Sequence, residues 1–366
     1  PLKMVLMITY LSHWDWILYK SRKDLIKYIK SDEIHAMCPC GSYEDELKSI
    51  YDGFTSWELD RNRQLDIKAI LKLRSYIKNI GGSFHCFTLK TGILFCLANI
   101  SVKIKPKAVL SITGLGFLFS DSLQAKLLRL IIKPFIRYLF NKSFDVIVFQ
   151  NQSDKKVFLK FSRFSNKTEL IPSSGIEINN FKKRINRQKK LGKKKVIFVS
   201  RLLYDKGIFD YMNLVNKVNK EKVEFYLAGE RDDGNPQNIS DSDMERILNE
   251  ENLNYMGKID VETELSKFDI SIIMSSHEGF SRILLESLYV GLYCLAYKIQ
   301  GTEAMKAFDN LELIELNHID KFVEFIENFN EIEDNTKNIQ LTEKLYASEV
   351  VASQFESIYK ELGILN

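Results

Sequence analysis

Short runs that are apolar at successive positions recur along this chain, and each is followed by a loop and a helical pattern. A strand shielded on both faces reads this way because neither of its sides meets water. The pattern therefore restricts the chain to parallel sheets covered by helices. Met4-Val-Leu-Met-Ile-Thr9 is the first such run, followed by Ala108-Val-Leu-Ser-Ile-Thr113 and Val146-Ile-Val-Phe149. Between the last two, Leu123 to Phe140 has the spacing of an amphipathic helix. A second series consists of Val196-Ile-Phe-Val-Ser200, Val223-Glu-Phe-Tyr-Leu-Ala228 and Ile270-Ser-Ile-Ile-Met274. Its rhythm is that of a second nucleotide-binding type of sheet.

The break between the two series falls in 179–195, where nine residues are Lys or Arg and no buried periodicity survives. It reads as a solvated basic linker. With 366 residues the chain is long for one core and suits two. The expected organisation is a Rossmann-like domain over 1–178, the linker 179–195, a second Rossmann-like domain over 196–344, and a last helical segment, 345–366, returning to the first domain.

Composition excludes several classes. Hydrophobic residues make up 45% and charged residues 27%, a globular rather than a disordered balance. A net charge of +4 at this length gives no bulk argument for nucleic acid. The five cysteines have no regular spacing, and Cys38-Pro-Cys40 has no second pair to complete a zinc site. They read as free thiols of a reducing cytoplasm, with no metal. No segment reads as a signal peptide, and the apolar runs near Leu94 to Ile100 and Leu127 to Ile132 are too short to span a bilayer.

The residues that carry chemistry lie in the second half. In His277-Glu278-Gly279-Phe280-Ser281-Arg282-Ile283-Leu284-Leu285-Glu286, Gly279 falls in a strand-to-helix loop and Ser281 at an N-cap position. The free N–H groups and positive dipole end of such a helix suit a diphosphate. Glu286 falls in the second turn, where a carboxylate can accept both hydroxyls of a ribose, and Glu278 lies close enough to contact a sugar on the phosphate. Ser200-Arg201-Leu-Leu-Tyr-Asp-Lys206-Gly207 occupies the carboxyl end of the first strand of this half, where ligands of open α/β sheets bind. Two fixed cations there can neutralise a leaving diphosphate without a metal. The bland alternative, solvated loop charges and a surface carboxylate, loses weight because two site-like loops fall at corresponding strand ends.

These segments resemble the retaining glycosyltransferases of family GT4, which have the two-domain GT-B architecture. Glu278, Gly279, Phe280 and Glu286 fit the family's E-G-F-x-x-x-x-x-E pattern, and Arg201 and Lys206 fit its R-x-x-x-x-K pair. Ala228-Gly229-Glu230 resembles the strand and glycine turn between them, and Gly257 a later family glycine. Trp14 to Arg22 resembles an N-terminal W-F-x-x-x-F-R segment, and His85-Cys-Phe-Thr-Leu-Lys90-Thr an H-T-F-T-P-K-P segment. Thr113-Gly114-Leu-Gly116 matches the T-G-L-G turn of the branch that builds O-antigens, capsules and N-linked oligosaccharides on undecaprenyl diphosphate. Ser281 and Ser275 stand where prolines are usual, and the turn at Thr113 and Gly114 lacks the His that many relatives place there.

The resemblance implies an α/β GT-B fold, two Rossmann-like domains facing across a cleft, with the acceptor on the N-terminal domain and the nucleotide-sugar on the C-terminal one. It implies retaining transfer of a sugar, an N-acetylated hexose, from a UDP-sugar to a polyprenyl-diphosphate-linked saccharide, with no metal or other cofactor. Arg201, Lys206 and Glu278 are then the catalytic set, and Glu230, Gly279, Phe280, Ser281 and Glu286 join Arg201 and Lys206 in holding the donor. His13, His85, Lys90, Thr113 and Gly114 are candidates for the N-terminal sugar or acceptor site. In Leu123 to Phe140, Lys126, Arg129, Lys133 and Arg137 share one helical stripe. With the apolar side packed inward, that stripe would meet anionic lipid at the cytoplasmic face of the inner membrane. A different class of function, a catalytically silent GT-B protein serving as a binding subunit of a polysaccharide assembly, would have no need of the intact charged set.

Overall fold

The computed structural model describes residues 7–60, 63, 65–119, 123–181, 192–232, 234–235, 237–330 and 334–365. They form two compact units, Pro1–Gly175 with Ser348–Asn366, and Ile176–Ala347. The units part at Gly175/Ile176 and again at Ala347/Ser348. The second unit thus begins before the expected linker, whose Phe181 is buried in that unit and whose Lys194 and Lys195 open its first strand, while 182–191 lie outside the described residues.

The first unit alternates β1 (Met7–Ser12), α1 (Asp15–Ile26), β2 (Glu33–Cys38), α2 (Glu44–Ile50), β3 (Gly53–Ser56), α3 (Ile67–Ile80), β4 (Ser83–Phe87), α4 (Leu89–Asn99), β5 (Ala108–Ile112), α5 (Leu123–Ser143), β6 (Val146–Phe149), α6 (Gln152–Ser162) and β7 (Lys167–Leu170). Its seven parallel strands run in the order β3-β2-β1-β4-β5-β6-β7. The predicted run from Met4 is thus a strand from Met7 on, and its first residues lie outside the described ones.

The second unit alternates β8 (Lys194–Val199), α7 (Ile208–Lys217), β9 (Val223–Ala228), α8 (Asp241–Leu248), β10 (Leu253–Gly257), α9 (Val261–Glu264), β11 (Ile270–Ile273), α10 (Arg282–Val290), β12 (Tyr293–Tyr297), α11 (Gln300–Glu303), β13 (Leu311–Ile314), α12 (Ile319–Asn328) and α13 (Thr336–Leu345). Its six parallel strands run β10-β9-β8-β11-β12-β13. In each unit the strand order reverses once, at β1/β4 and at β8/β11. Loops leaving two neighbouring strands there diverge and open a crevice at the carboxyl ends, which is where ligands of such sheets sit.

Each sheet is buried on both faces. In the first unit, α3, α4, α5 and α6 cover one face with Leu73, Phe95, Phe140 and Phe158. On the other face lie α1 and the last helix, α14 (Ser348–Glu361), whose Val351, Phe355, Ile358 and Tyr359 pack with Ile8, Tyr10 and Leu18. In the second unit, α7, α8 and α12 cover one face and α10 the other.

The helix α5 departs from expectation. Among its described apolar residues Ala125, Ile136 and Phe140 are buried, with Leu128, Ile132 and Leu139 partly so. Leu127, Leu130, Ile131 and Phe135, expected to pack inward, are 62%, 71%, 65% and 64% exposed. The sheet accepts a narrower stripe of α5 than its apolar residues could fill, so the surplus forms an exposed arc with Leu123 and Tyr138. Lys126, Lys133 and Arg137 are exposed along one flank of that arc. Arg129 leaves the predicted basic stripe: its Nη1 donates to the Leu118 carbonyl at 2.9 Å, and its guanidinium lies over the Phe119 ring. Among the described residues no helix is long and apolar enough to cross a membrane.

Candidate active site

In the second unit the loops after β8, β9 and β11 are drawn together by backbone contacts that only glycine permits. Gly207 has φ +77°, and a Cβ there would lie 2.1 Å from the Met274 carbonyl oxygen. Gly229 has φ +143°, and its Cβ would lie 1.7 Å from the Ser200 carbonyl oxygen. Any side chain at either position would push the loops apart. The Ser276 N–H donates to the Asp205 carbonyl at 2.9 Å, and the Leu202 N–H to the Glu230 carbonyl at 2.9 Å.

This stitching brings Lys206 and Glu278 together across the β8/β11 reversal. Lys206 Nζ donates to Glu278 Oε1 at 2.7 Å, and Ser275 Oγ donates to the same oxygen at 2.9 Å. Arg201 pairs through Nη1 with Asp232 Oδ2 at 2.6 Å, and Asp232, only 5% exposed at its side chain, also accepts from Asn235 Nδ2 at 3.2 Å. Glu286 is buried on α10 and accepts from Arg282 Nε at 2.6 Å, one turn earlier. Ser281 takes the N-cap position, as expected, but its hydroxyl makes no cap bond and is buried without a hydrogen-bond partner. The Ser281 N–H itself donates to the Gly301 carbonyl at 3.2 Å, which ties the start of α10 to α11, the short helix after β12.

At the corresponding reversal of the first unit a histidine sits among threonine hydroxyls, with Lys90 in the first turn of α4. His13 Nδ1 lies 2.9 Å from Thr88 Oγ1 and 3.2 Å from Thr91 Oγ1, and the His13 N–H donates to Thr91 Oγ1 at 3.1 Å. Thr88 has φ +81°, a conformation that a β-branched residue adopts only under strain of order 1–3 kcal/mol. It caps α4, its hydroxyl accepting from the Thr91 N–H.

Residues 179–344 match the family model described as Glycosyl transferases group 1. The chain is a glycosyltransferase. Solved structures of like fold include a sucrose-phosphate synthase of Thermosynechococcus elongatus, 14% identical, covering 98% of each chain at a TM-score of 0.75. A glycosyltransferase of Rickettsia africae is 14% identical over 97% of this chain and 98% of its own, at 0.74. HepE of Anabaena, solved with UDP-glucose, is 14% identical over 97% and 99%, at 0.72. No curated protein matches the chain in sequence. At such identities the shared property is the fold, and it is the GT-B architecture of two Rossmann-like units.

Within this glycosyltransferase, Lys206, Glu278, Ser281 and the start of α10 gather at one strand-order reversal, with Arg201 and Glu230 on the neighbouring loops. Phe280 is a correction: its ring is buried against Tyr346 among Leu284 and Leu288, so only its backbone can serve a donor. His85 is another. Its ring is fully buried, with Nδ1 bonded to Tyr359 Oη and Nε2 to Ser111 Oγ at 2.7 Å. Burial, and then the Arg22 charge, hold its pKa well below the usual histidine value, so the ring is a neutral packing element and not a sugar contact. Lys90 lies half-buried in the first turn of α4, and Thr113 and Gly114 follow β5. The residue that the sequence did not single out is Asp232, the partner of Arg201. Its signal was available, since β8 and β9 are neighbours and the loops after them must meet.

Proposed function

We propose that this glycosyltransferase moves a sugar, an N-acetylated hexose, from a UDP-sugar to a saccharide carried on a polyprenyl diphosphate, with retention of anomeric configuration and without a metal. The observation that carries the reading is the Lys206–Glu278 pair across β8/β11, beside the start of α10. HepE, of like fold, was solved with UDP and with UDP-glucose, which supports a UDP-sugar as donor. Lys206 and Arg201 would stabilise the diphosphate as its charge grows, Glu286 would grip the ribose, and Glu278 the donor sugar. The bond from the anomeric carbon to phosphate breaks as the bond to the acceptor oxygen forms on the same face. The acceptor proton passes to the departing phosphate oxygen, and cations already fixed by the chain supply the charge compensation that a metal would otherwise bring.

The polyprenyl carrier places the acceptor at a bilayer surface, and α5 supports such a location, on the cytoplasmic side of the inner membrane. Its exposed arc of Leu127, Leu130, Ile131 and Phe135 would enter the headgroup boundary, and Lys126, Lys133 and Arg137 would each add about 1 kcal/mol on anionic lipid. The test is nucleotide release from UDP- and GDP-sugars with an undecaprenyl-diphosphate-linked saccharide, with and without EDTA, on anionic vesicles. Turnover restricted to UDP-sugars and undiminished by EDTA is expected. Loss of all turnover in EDTA, restored by Mg²⁺, would remove the metal-free mechanism. Binding of UDP-sugars without any release would leave the chain a silent binding subunit. Unchanged vesicle binding after replacing Leu130, Ile131 and Phe135 with Ser would remove α5 as the membrane face.

A further inference from the structure

Lys206 does not wait for phosphate as an open charge. It is held by Glu278 at 2.7 Å, and the two side chains are 12% and 21% exposed. At that depth solvent screens the pair less than on an open surface, so a ligand that needs Lys206 must first displace Glu278. Glu278 takes both the Lys206 and the Ser275 bonds on Oε1, so its carboxylate is aimed before any ligand arrives.

We propose that Glu278 makes the site discriminate the intact nucleotide-sugar from the spent nucleoside diphosphate by competing for Lys206. This rests on the UDP-sugar reading above and deepens it. A nucleotide-sugar brings hydroxyl donors, which the carboxylate can accept in exchange for the ammonium. The pair then opens at small net cost and Lys206 turns to the diphosphate. A nucleoside diphosphate has no sugar to give. It asks the carboxylate to surrender its cation for nothing and sets phosphate charge against it. Once the sugar has been transferred, Glu278 recaptures Lys206 and the diphosphate loses its cation, which speeds a product-release step of the kind that often limits turnover.

The neighbouring pair marks the contrast. Asp232 is more deeply buried than Glu278 and also accepts from Asn235, and its partner is a guanidinium with five N–H donors in a rigid fork. Arg201 can keep Asp232 on one edge and offer another edge to phosphate, so that pair is a holder. Lysine, a compact point charge, must choose. Removing the two carboxylates should therefore act in opposite directions on the same ligand.

The experiment is calorimetric binding of UDP, without acceptor, to the full chain and to Glu278→Gln, Glu278→Asp and Asp232→Asn, at one ionic strength. Glu278→Gln should bind UDP about ten-fold more tightly while binding the UDP-sugar no better. Glu278→Asp, which keeps the charge, should resemble the parent. Asp232→Asn should bind UDP more weakly. In initial-rate kinetics the competitive inhibition constant of UDP should follow the same order. Equal or weaker UDP binding by Glu278→Gln overturns the inference alone, and so does a Glu278→Asp protein that binds UDP more tightly than the parent. If neither parent nor variants bind UDP or any UDP-sugar, the donor reading falls and takes this inference with it.

Discussion

The carboxyl ends of β1 and β4 and those of β8 and β11 are the same place in two sheets of one kind, yet they are built from different groups. At β8/β11 the chain places full charges in pairs, Lys206 with Glu278, and forces its loops together with glycines that tolerate no Cβ. At β1/β4 it places an imidazole between two threonine hydroxyls, and the tight turn is made by a strained threonine. The fold thus supplies the crevice in both units, and residue type decides what each can hold. Paired charges suit a group whose charge changes during reaction, while neutral hydroxyl partners suit a polyol that stays neutral.

The largest effect expected from breaking this contrast is at Lys206. Lys206→Ala should lower kcat by roughly 10²- to 10³-fold with a smaller change in donor KM, because its interaction grows as the diphosphate departs. Steady-state rates with a saturating donor check this, and near-normal kcat would take the lysine out of the charged site. Next comes the glycine frame. Gly207→Ala should cost about 3 kcal/mol or more of stability, since the new Cβ meets the Met274 carbonyl and the backbone is held at positive φ. Urea denaturation followed by a probe in the second unit would show it, and a change below 1 kcal/mol would mean that the loops part easily.

The smallest effect concerns the first unit. His85 binds a proton less readily folded than unfolded, because burial and Arg22 disfavour its charge. Stability is unaffected above its unfolded pKa of 6.5 and should fall as pH drops below it, by up to about 1.4 kcal/mol per pH unit. Denaturation midpoints between pH 7 and 5 for the parent and for His85→Gln should diverge in slope. Parallel curves would show that His85 charges freely.

Much of this was legible because it is local. Val146–Phe149 and Val223–Ala228 were read to the residue, since strands with both faces covered leave little choice of composition. β2, β3, β4, β7, β10, β12 and β13 escaped notice, several for the converse reason: Ser83–Phe87 carries a histidine, Tyr293–Tyr297 mixes aromatic and aliphatic residues, and Lys167–Leu170 is an exposed edge. Lys206 and Glu278 were legible as site residues, but their pairing joins positions 72 apart, and no periodicity encodes it. His85 misled because it sits in a family-like segment, while its surroundings come from Tyr359, 274 residues later. For α5 the helical wheel showed apolar and basic residues correctly, but how wide a stripe the sheet would cover depends on α4 and α6 beside it, which the wheel does not contain.

The membership of α14 in the first unit has a consequence for biosynthesis. One face of that unit's sheet is sealed by Val351, Ala352, Phe355, Ile358 and Tyr359, which leave the ribosome after the whole of Ile176–Ala347. The unit made first is therefore finished last: its β-strands can pair during translation, but Ile8, Tyr10 and Leu18 wait for their covering helix until the second unit has been synthesised. The second unit, continuous in sequence, has no such delay. A nascent chain halted before residue 348 should carry a folded second unit and a first unit still open to chaperones on one side.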